Sequence, residues 1–563
     1  MIDWRLSRRG LLAGSLGTAA AALALADDTV RDHPSSAGLD DFIRRYMREM
    51  GAPGLTLALA NRGGTVRAAS FGLAGIESGT PVTPDHLFQI GSISKSFAAL
   101  TLLQLREEGK VDLDRPILHY LPWLPLETNY GPVTVHHLLT HTSGLPNTLS
   151  LFLSDPSARH VQAFKPGSNF DYCNLGFEIL GHLIAAADAR PWPESIARRI
   201  FTPLGMTSSH ASITLALRDR LAPSYKPYDE NAVYPRRGRL APVGAFVFEN
   251  AAGSVASTPA DMARYLRMLL NRGAGPEGRI VSEESFALFS KPYVKAPEFS
   301  PTAHYGYGVA VDELHGHTIL RHTGGMVSFM SAMHVDLDAG VAAFASINAQ
   351  QGYRPNPVTQ YAVQRMRAEA EQKTAPEPPV LPAEFDVPDA AGYAGTYESP
   401  EGERLEVTAK EQRLSMTIAG RTFPLAPSGE GFLASDAAFR KFPFVFGRNT
   451  TDPKSVIEVA YGPRWYFNAR YTGAKQFSTP PEYAAFAGQY RADSVWVGTV
   501  EVVLRKGALW LDGVTPLEPF GNGLFRVGTE PSPETAHFLS LANGKARLLK
   551  LSGIDLWRIE TAG

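Results

Sequence analysis

Apolar residues alternate early in the chain. Leu55, Leu57 and Leu59 are separated by Thr56 and Ala58, a Gly-containing loop spans 61–64, and a second alternating run covers 66–71. Period two on both sides of a short loop predicts a β-hairpin. The period then changes: Phe97, Leu100, Leu103 and Leu105 recur at helical spacing over 94–108, and Gly109 can stop the helix. Further helices are predicted at 135–140, 175–187 and 259–271, and strands return at 307–311, 318–322, 329–335 and 341–347, with Asp338-Ala339-Gly340 as a turn. Strands at both ends of a helical middle imply an α/β (α+β) domain, an antiparallel sheet flanked by helices.

Beyond 368 the pattern breaks. Residues 369–388 are rich in Pro, Glu and Ala, with Pro376, Pro378, Pro379 and Pro382, which predicts an extended linker rather than packed structure. A shorter break at 476–482 contains Pro480-Pro481. The segments behind these breaks look like copies: Tyr393-Ala394-Gly395-Thr396-Tyr397 opens one, and Phe486-Ala487-Gly488-Gln489-Tyr490 opens the other. Leu405-Glu406-Val407 then corresponds to Val500-Glu501-Val502, Leu414-Ser415-Met416 to 508–511, and Pro424-Leu425 to Pro516-Leu517. Short strands between Gly and Pro turns predict an all-β barrel or sandwich used twice. The expected organisation is 27–373, a linker at 374–390, and β domains at 391–475 and 483–563.

With 563 residues, 44% hydrophobic and 20% charged, the chain exceeds one core and can fill several. A formal charge of -2 offers no basic face to displace counterions, which argues against a nucleic-acid partner. Cys173 is the only cysteine, so an internal disulfide framework and a multi-cysteine metal site are excluded. At the N-terminus, Arg5, Arg8 and Arg9 precede an apolar run over 11–25 that ends in Ala24-Leu25-Ala26. That order predicts an export signal at 1–26, cleaved after Ala26, and a periplasmic or secreted protein without stable membrane insertion. The run at 7–12 resembles a twin-arginine signal. An uncleaved anchor is the alternative, but the apolar run is shorter than the ~20 residues a span needs.

Candidate chemistry lies at Ser92-Ile93-Ser94-Lys95, directly after Gly91 and at the start of the first long helix. Three residues apart, the Ser92 hydroxyl and the Lys95 amine share a face, and free N–H groups at a helix start favour developing negative charge. Serine is a weak nucleophile at its own pKa, whereas a desolvated lysine can lose its proton and serve as base. Ser-x-x-Lys alone is common by chance, but two further elements follow in order. Tyr172-Cys173-Asn174 precedes a helix and offers a phenol for proton relay and an amide for substrate. Arg321-His322-Thr323-Gly324-Gly325 ends a predicted strand, where the glycines leave room for substrate against the backbone.

Together these motifs resemble the serine β-lactamase and penicillin-binding protein superfamily, which reads Ser-x-x-Lys, then Tyr-x-Asn or Ser-x-Asn, then Lys-Thr-Gly or His-x-Gly, and within it the class C-like branch of peptidases and esterases. The resemblance covers roughly 40–347 and includes the stretch 134–146, to which no catalytic role is assigned. It implies acylation of Ser92, with Lys95 and Tyr172 as base and proton donor, and Asn174 on the substrate amide. It places Ser92 and Gly325 N–H groups in an oxyanion hole and His322 in the substrate wall. No cofactor or metal is implied, and a small peptide or ester is the expected substrate. His322 stands where β-lactamases carry lysine, so a fixed cation for a drug carboxylate is expected to be missing. Two lipocalin-like barrels behind such a domain resemble the layout of D-aminopeptidases.

Other chemistries fit the sequence less well. Gly-x-Ser-x-Gly is absent, which removes an α/β-hydrolase elbow. His136, His137 and His141 cluster without His-Glu-x-x-His and fit helix packing and capping better than metal. Cys173 has no evident base. A carboxylesterase, a β-lactamase and a non-enzymatic penicillin-binding or sensor protein remain alternatives to a peptidase on small peptides, D-residue-containing ones included.

Overall fold

The computed structural model describes residues 36–148, 151–154, 158–228, 238–350, 354–429, 431–494, 496–521 and 523–560. The export signal expected at 1–26 lies outside them. No helix among the described residues is long and apolar enough to cross a membrane.

The hairpin forms as β1 (Gly54–Asn61) and β2 (Gly64–Gly75), antiparallel in register. It sits in a nine-stranded sheet. The neighbours of β1 and β2 run in the order Ala310–Leu314, His317–Gly325, Met330–Asp336 and Val341–Ile347, with Val341–Ile347 paired to β1. The alternation in β1 is large against small rather than apolar against polar. Leu55, Leu57 and Leu59 pack with Phe42 and Ile43 of α1 (Ser36–Met50) and with Tyr361 and Met366 of the Asn356–Ala370 helix. Ala58 and Ala60 face the other way, where Met262 and Leu266 of the Pro259–Leu270 helix lie against them. Small residues on that face let the helix approach closely, and each buried leucine on the opposite face contributes roughly 1.5–3 kcal/mol. A buried two-pronged pair, Arg67 to Asp40 at 2.5 and 2.9 Å, ties β2 to α1.

Two predicted strands are bounded differently. Pairing along 307–311 begins only at Ala310, because Gly306 N–H is turned to Val309 O and Tyr307 N–H to Phe289 O. The strand predicted at 318–322 runs to Gly325, pairing Gly324 with Ser331 and Gly325 with Met330. That extension carries the third motif to the mouth of the site.

The C-terminal segments are two closed eight-stranded barrels. The first runs from Gly395–Glu398 to Arg464–Phe467 and closes where Glu398 meets Phe467. The second runs from Gly488–Arg491 to Ile554–Arg558 and closes through Tyr490 and Arg491. The matched openings do the same job twice: the Tyr397 hydroxyl donates to Tyr393 O and the Tyr490 hydroxyl to Phe486 O, each at 2.7 Å. The Pro-rich segment ahead of the first barrel is extended but, contrary to expectation, packed. Arg45 donates to Pro379 O at 2.8 Å and Leu381 is buried against the first domain's core.

Candidate active site

Ser92 lies in a 3-10 turn, Gly91–Ile93, that runs directly into α2 (Ser94–Glu107). The turn is clamped from two sides. Ile90 N–H donates to Val255 O at 2.9 Å, and Val255 N–H donates to Ser94 Oγ at 3.1 Å. On the other side the end of the His317–Gly325 strand touches the turn so closely that a Cβ on Gly324 would lie 1.9 Å from Ile90 O. Gly324 therefore does not leave room for substrate; its missing side chain lets the strand close on the Ser92 turn. Gly325 does face the site, where the atoms nearest to a Cβ would be those of the Arg354 guanidinium and Met330, none closer than 3.4 Å.

Lys95, fully buried, reaches back along α2 to Ser92 Oγ at 3.1 Å, Asn174 Oδ1 at 2.7 Å and Ala252 O at 2.8 Å. Burial pushes its pKa well below the usual lysine value, against a smaller opposing influence of Cys173. Tyr172 places its ring 4.9 Å from Lys95 Nζ. Burial pushes its phenol pKa up, and a hydrogen bond with Ser92 works the other way. Both shifts favour the neutral amine beside the neutral phenol. Asn174 begins the Asn174–Asp188 helix, and Asn147 Oδ1 accepts from both its backbone N–H (3.0 Å) and its Nδ2 (2.9 Å). That pair of bonds turns the Asn174 carbonyl oxygen toward Lys95.

Cys173 caps the same helix, accepting from Gly176 N and donating to Pro146 O, each at 3.3 Å. Burial raises its thiol pKa to about 12, so it is a structural thiol and not a nucleophile. His141 adopts the left-handed region at φ 58° and is buried. Its Nδ1 accepts from Cys173 N–H at 3.0 Å while its ring lies 4.3 Å from that of Tyr172. Burial, then the nearby Lys95, pushes its pKa well down. His141 thus sets the loop that carries Tyr172 and Asn174. His137 caps its own helix through Thr134, and His136 meets the Tyr307 hydroxyl at 2.9 Å.

His322 is buried in the wall. Its Nδ1 lies 2.6 Å from Thr323 O, an acceptor only, so Nδ1 carries the proton and Nε2 accepts from the Tyr305 hydroxyl at 2.9 Å. Burial, then the nearness of Lys95, pushes its pKa down to about 3. Both ring nitrogens are used, and the imidazole is neutral. A cation stands close by: Arg354 Nη1 donates to Thr323 Oγ1 at 2.6 Å beside the pocket. On the wall formed by the turn at 297–299, Glu298 makes no ion pair among the described residues, and burial raises its pKa. The turn is anchored by Asp312, which accepts from Ser300 and Thr302 hydroxyls at 2.7 Å and from Arg321 at 3.2 Å.

These groups converge on one pocket of about 360 Å³, lined by Ser92, Asn147, Tyr172, Asn174, Glu298 and Arg354 together with the end of the His322 strand. All six residues singled out from the sequence meet here: Lys95 lies beneath Ser92, and His322 and Gly325 are in the wall. Asn147, Glu298 and Arg354 were not singled out, and they follow no spacing that a sequence pattern would flag.

Residues 39–366 match the Beta-lactamase family. The chain belongs to that family, within the serine β-lactamase and penicillin-binding protein superfamily of serine hydrolases. It is 31% identical over 371 residues to penicillin-binding protein 4 of Amycolatopsis lactamdurans, covering 62% of this chain and 94% of that protein. It is 26% identical over 335 residues to a D-aminopeptidase of Brucella anthropi, covering 56% of this chain and 60% of that one. Among solved structures it is similar to the octameric penicillin-binding protein homologue from Pyrococcus abyssi, at 25% identity and a TM-score of 0.53, covering 76% of this chain and 99% of that chain.

Proposed function

We propose that the protein is a serine peptidase acting on short peptides through an acyl-enzyme at Ser92. The observation that carries the reading is the partner set of Lys95. Asn174 Oδ1 and Ala252 O can only accept, so they take the two N–H groups of a neutral amine and leave its lone pair for the Ser92 hydroxyl. Ser92 Oγ attacks the substrate carbonyl carbon as its proton passes to Lys95 Nζ. Backbone N–H groups of Ser92 and Gly325 hold the oxyanion, at roughly 3 kcal/mol per donor. The C–N bond breaks as the proton moves through Tyr172 to the leaving amine; water then attacks the ester carbonyl and gives a proton to Lys95, which passes it to Ser92 Oγ as the C–O bond breaks and the acid leaves.

The charges of the pocket favour a peptide over a neutral ester. Glu298 offers a carboxylate to an ammonium group, and Arg354 offers a guanidinium to a carboxylate, so an unblocked short peptide meets both. The similarity to a D-aminopeptidase supports the same reading and extends it to D-residues.

The test is a panel of L- and D-peptides, p-nitrophenyl esters and a chromogenic cephalosporin. The highest kcat/KM is expected on a peptide with both termini free, falling by roughly tenfold or more in Arg354→Ala or Glu298→Gln. Ester cleavage without peptide turnover would make the protein a carboxylesterase, and efficient cephalosporin hydrolysis would make it a β-lactamase.

A further inference from the structure

The lysine is held by Asn174, Asn174 by Asn147, and Asn147 by a residue far away in sequence. Asn147 N–H donates to Glu534 Oε1, and Glu534 lies in the second barrel between the strands Leu524–Val527 and Thr535–Ala542. The carboxylate is itself fixed: its other oxygen accepts from the Ser552 hydroxyl, which in turn accepts from Thr535 N–H at 3.2 Å. On the opposite side of Asn147, Pro146 O accepts from the Cys173 thiol at 3.3 Å. The barrel and the catalytic domain therefore grip opposite edges of one peptide unit, the one joining Pro146 to Asn147. The barrel has other holds on the same region, since Lys550 donates to Ser154 Oγ at 3.1 Å and Gly553 packs on Leu153.

We propose that Glu534 is a positioning residue for Lys95, acting through Asn147 and Asn174, so that the second barrel helps to hold the nucleophile's base in place. The chain of contacts has the right chemistry at each link. Glu534 fixes the Asn147 backbone, Asn147 Oδ1 accepts both donors of Asn174, and the amide orientation so fixed presents Oδ1 at 2.7 Å from Lys95 Nζ. With Glu534 gone, Asn147 N–H loses its acceptor and that peptide unit keeps only its hold through Pro146 O. Asn174 can then turn, and the Lys95 lone pair is no longer committed to Ser92.

This inference rests on the reading of Ser92 as nucleophile, and labelling of the full-length chain by a fluorophosphonate separates the two. The maximal labelling rate and the half-saturating probe concentration are measured for the wild type, Glu534→Ala, Glu534→Gln, Asn147→Ala and the Glu534→Ala/Asn147→Ala double variant, with thermal melting alongside. Glu534→Ala is expected to lower the maximal rate about tenfold and change half-saturation by no more than about twofold, below the roughly 100-fold cost of a 1 Å displacement at a reacting group. Glu534→Gln keeps an acceptor oxygen and should recover to within about threefold of wild type. Asn147→Ala should match Glu534→Ala, and the double variant should lose no more than either, because both break one path. A Glu534→Ala rate equal to wild type, even with lowered melting, or losses that multiply in the double variant, would overturn the proposal while leaving Ser92 as nucleophile. A wild type that takes no label at Ser92 would instead overturn the functional reading and this inference with it.

Discussion

Lys95 has three oxygen neighbours and, once neutral, two N–H groups, and that mismatch is the chemistry of the site. Arginine at this position stays charged at any working pH and has no lone pair to offer. Lys95→Arg should therefore lower kcat/KM by roughly 10²–10⁴ while thermal melting shows a folded protein. In the wild type, protonation of Lys95 removes the base, so activity should rise with pH along an acid limb. Because burial lowers the Lys95 pKa, that limb should lie well below the usual lysine range. A limb near the ordinary lysine value would contradict the neutral amine. At this scale the sequence was informative wherever chemistry is tied to spacing. Ser92 and Lys95 stand one helical turn apart, and Tyr172 and Asn174 flank a helix start. Asn147, Glu298 and Arg354 reach the pocket from three separate loops or helix ends, and only the closed fold brings them together.

At the scale of elements, periodicity located the hairpin, α2 and the central strands, because each buries a continuous face. It misjudged the two places where an element's job is to approach another backbone. Gly324 was read as room for substrate, yet its space is filled by Ile90 O, and no pattern within one strand reveals what lies opposite it. The composition of the Pro-rich segment predicts an extended linker rather than packed structure, yet Arg45 and the core around Leu381 hold it down. The two glycines of the third motif now predict different outcomes. Gly324→Ala puts a methyl 1.9 Å from backbone and should cost about 1–3 kcal/mol of stability, as overpacking does, and reduce turnover as the strand lifts from the Ser92 turn. Gly325→Ala places its methyl toward the Arg354 side chain at 3.4 Å, and should keep the melting temperature while raising KM. Equal melting for both variants would contradict this division of roles.

Over the whole molecule, the sheet fixes the strand end, the helical layer fixes Ser92 and Lys95, and the second barrel reaches the loop between them through Glu534. The repeat was legible because each barrel opens on the same tyrosine, Tyr397 in one and Tyr490 in the other, whose hydroxyl donates to the carbonyl four residues before it. The docking of a barrel on the loop around Asn147 was not, since it depends on single polar contacts between segments hundreds of residues apart. Sheet, helical layer and barrel all bear on one oxygen atom, Ser92 Oγ. The most direct test is intact-mass and peptide mapping after incubation with a fluorophosphonate, on the wild type and on Ser92→Ala of equal thermal stability. One adduct per chain, on Ser92, is expected, with neither adduct nor turnover in the variant. Labelling at Ser94, Cys173 or any other position, or undiminished hydrolysis by Ser92→Ala, would contradict it.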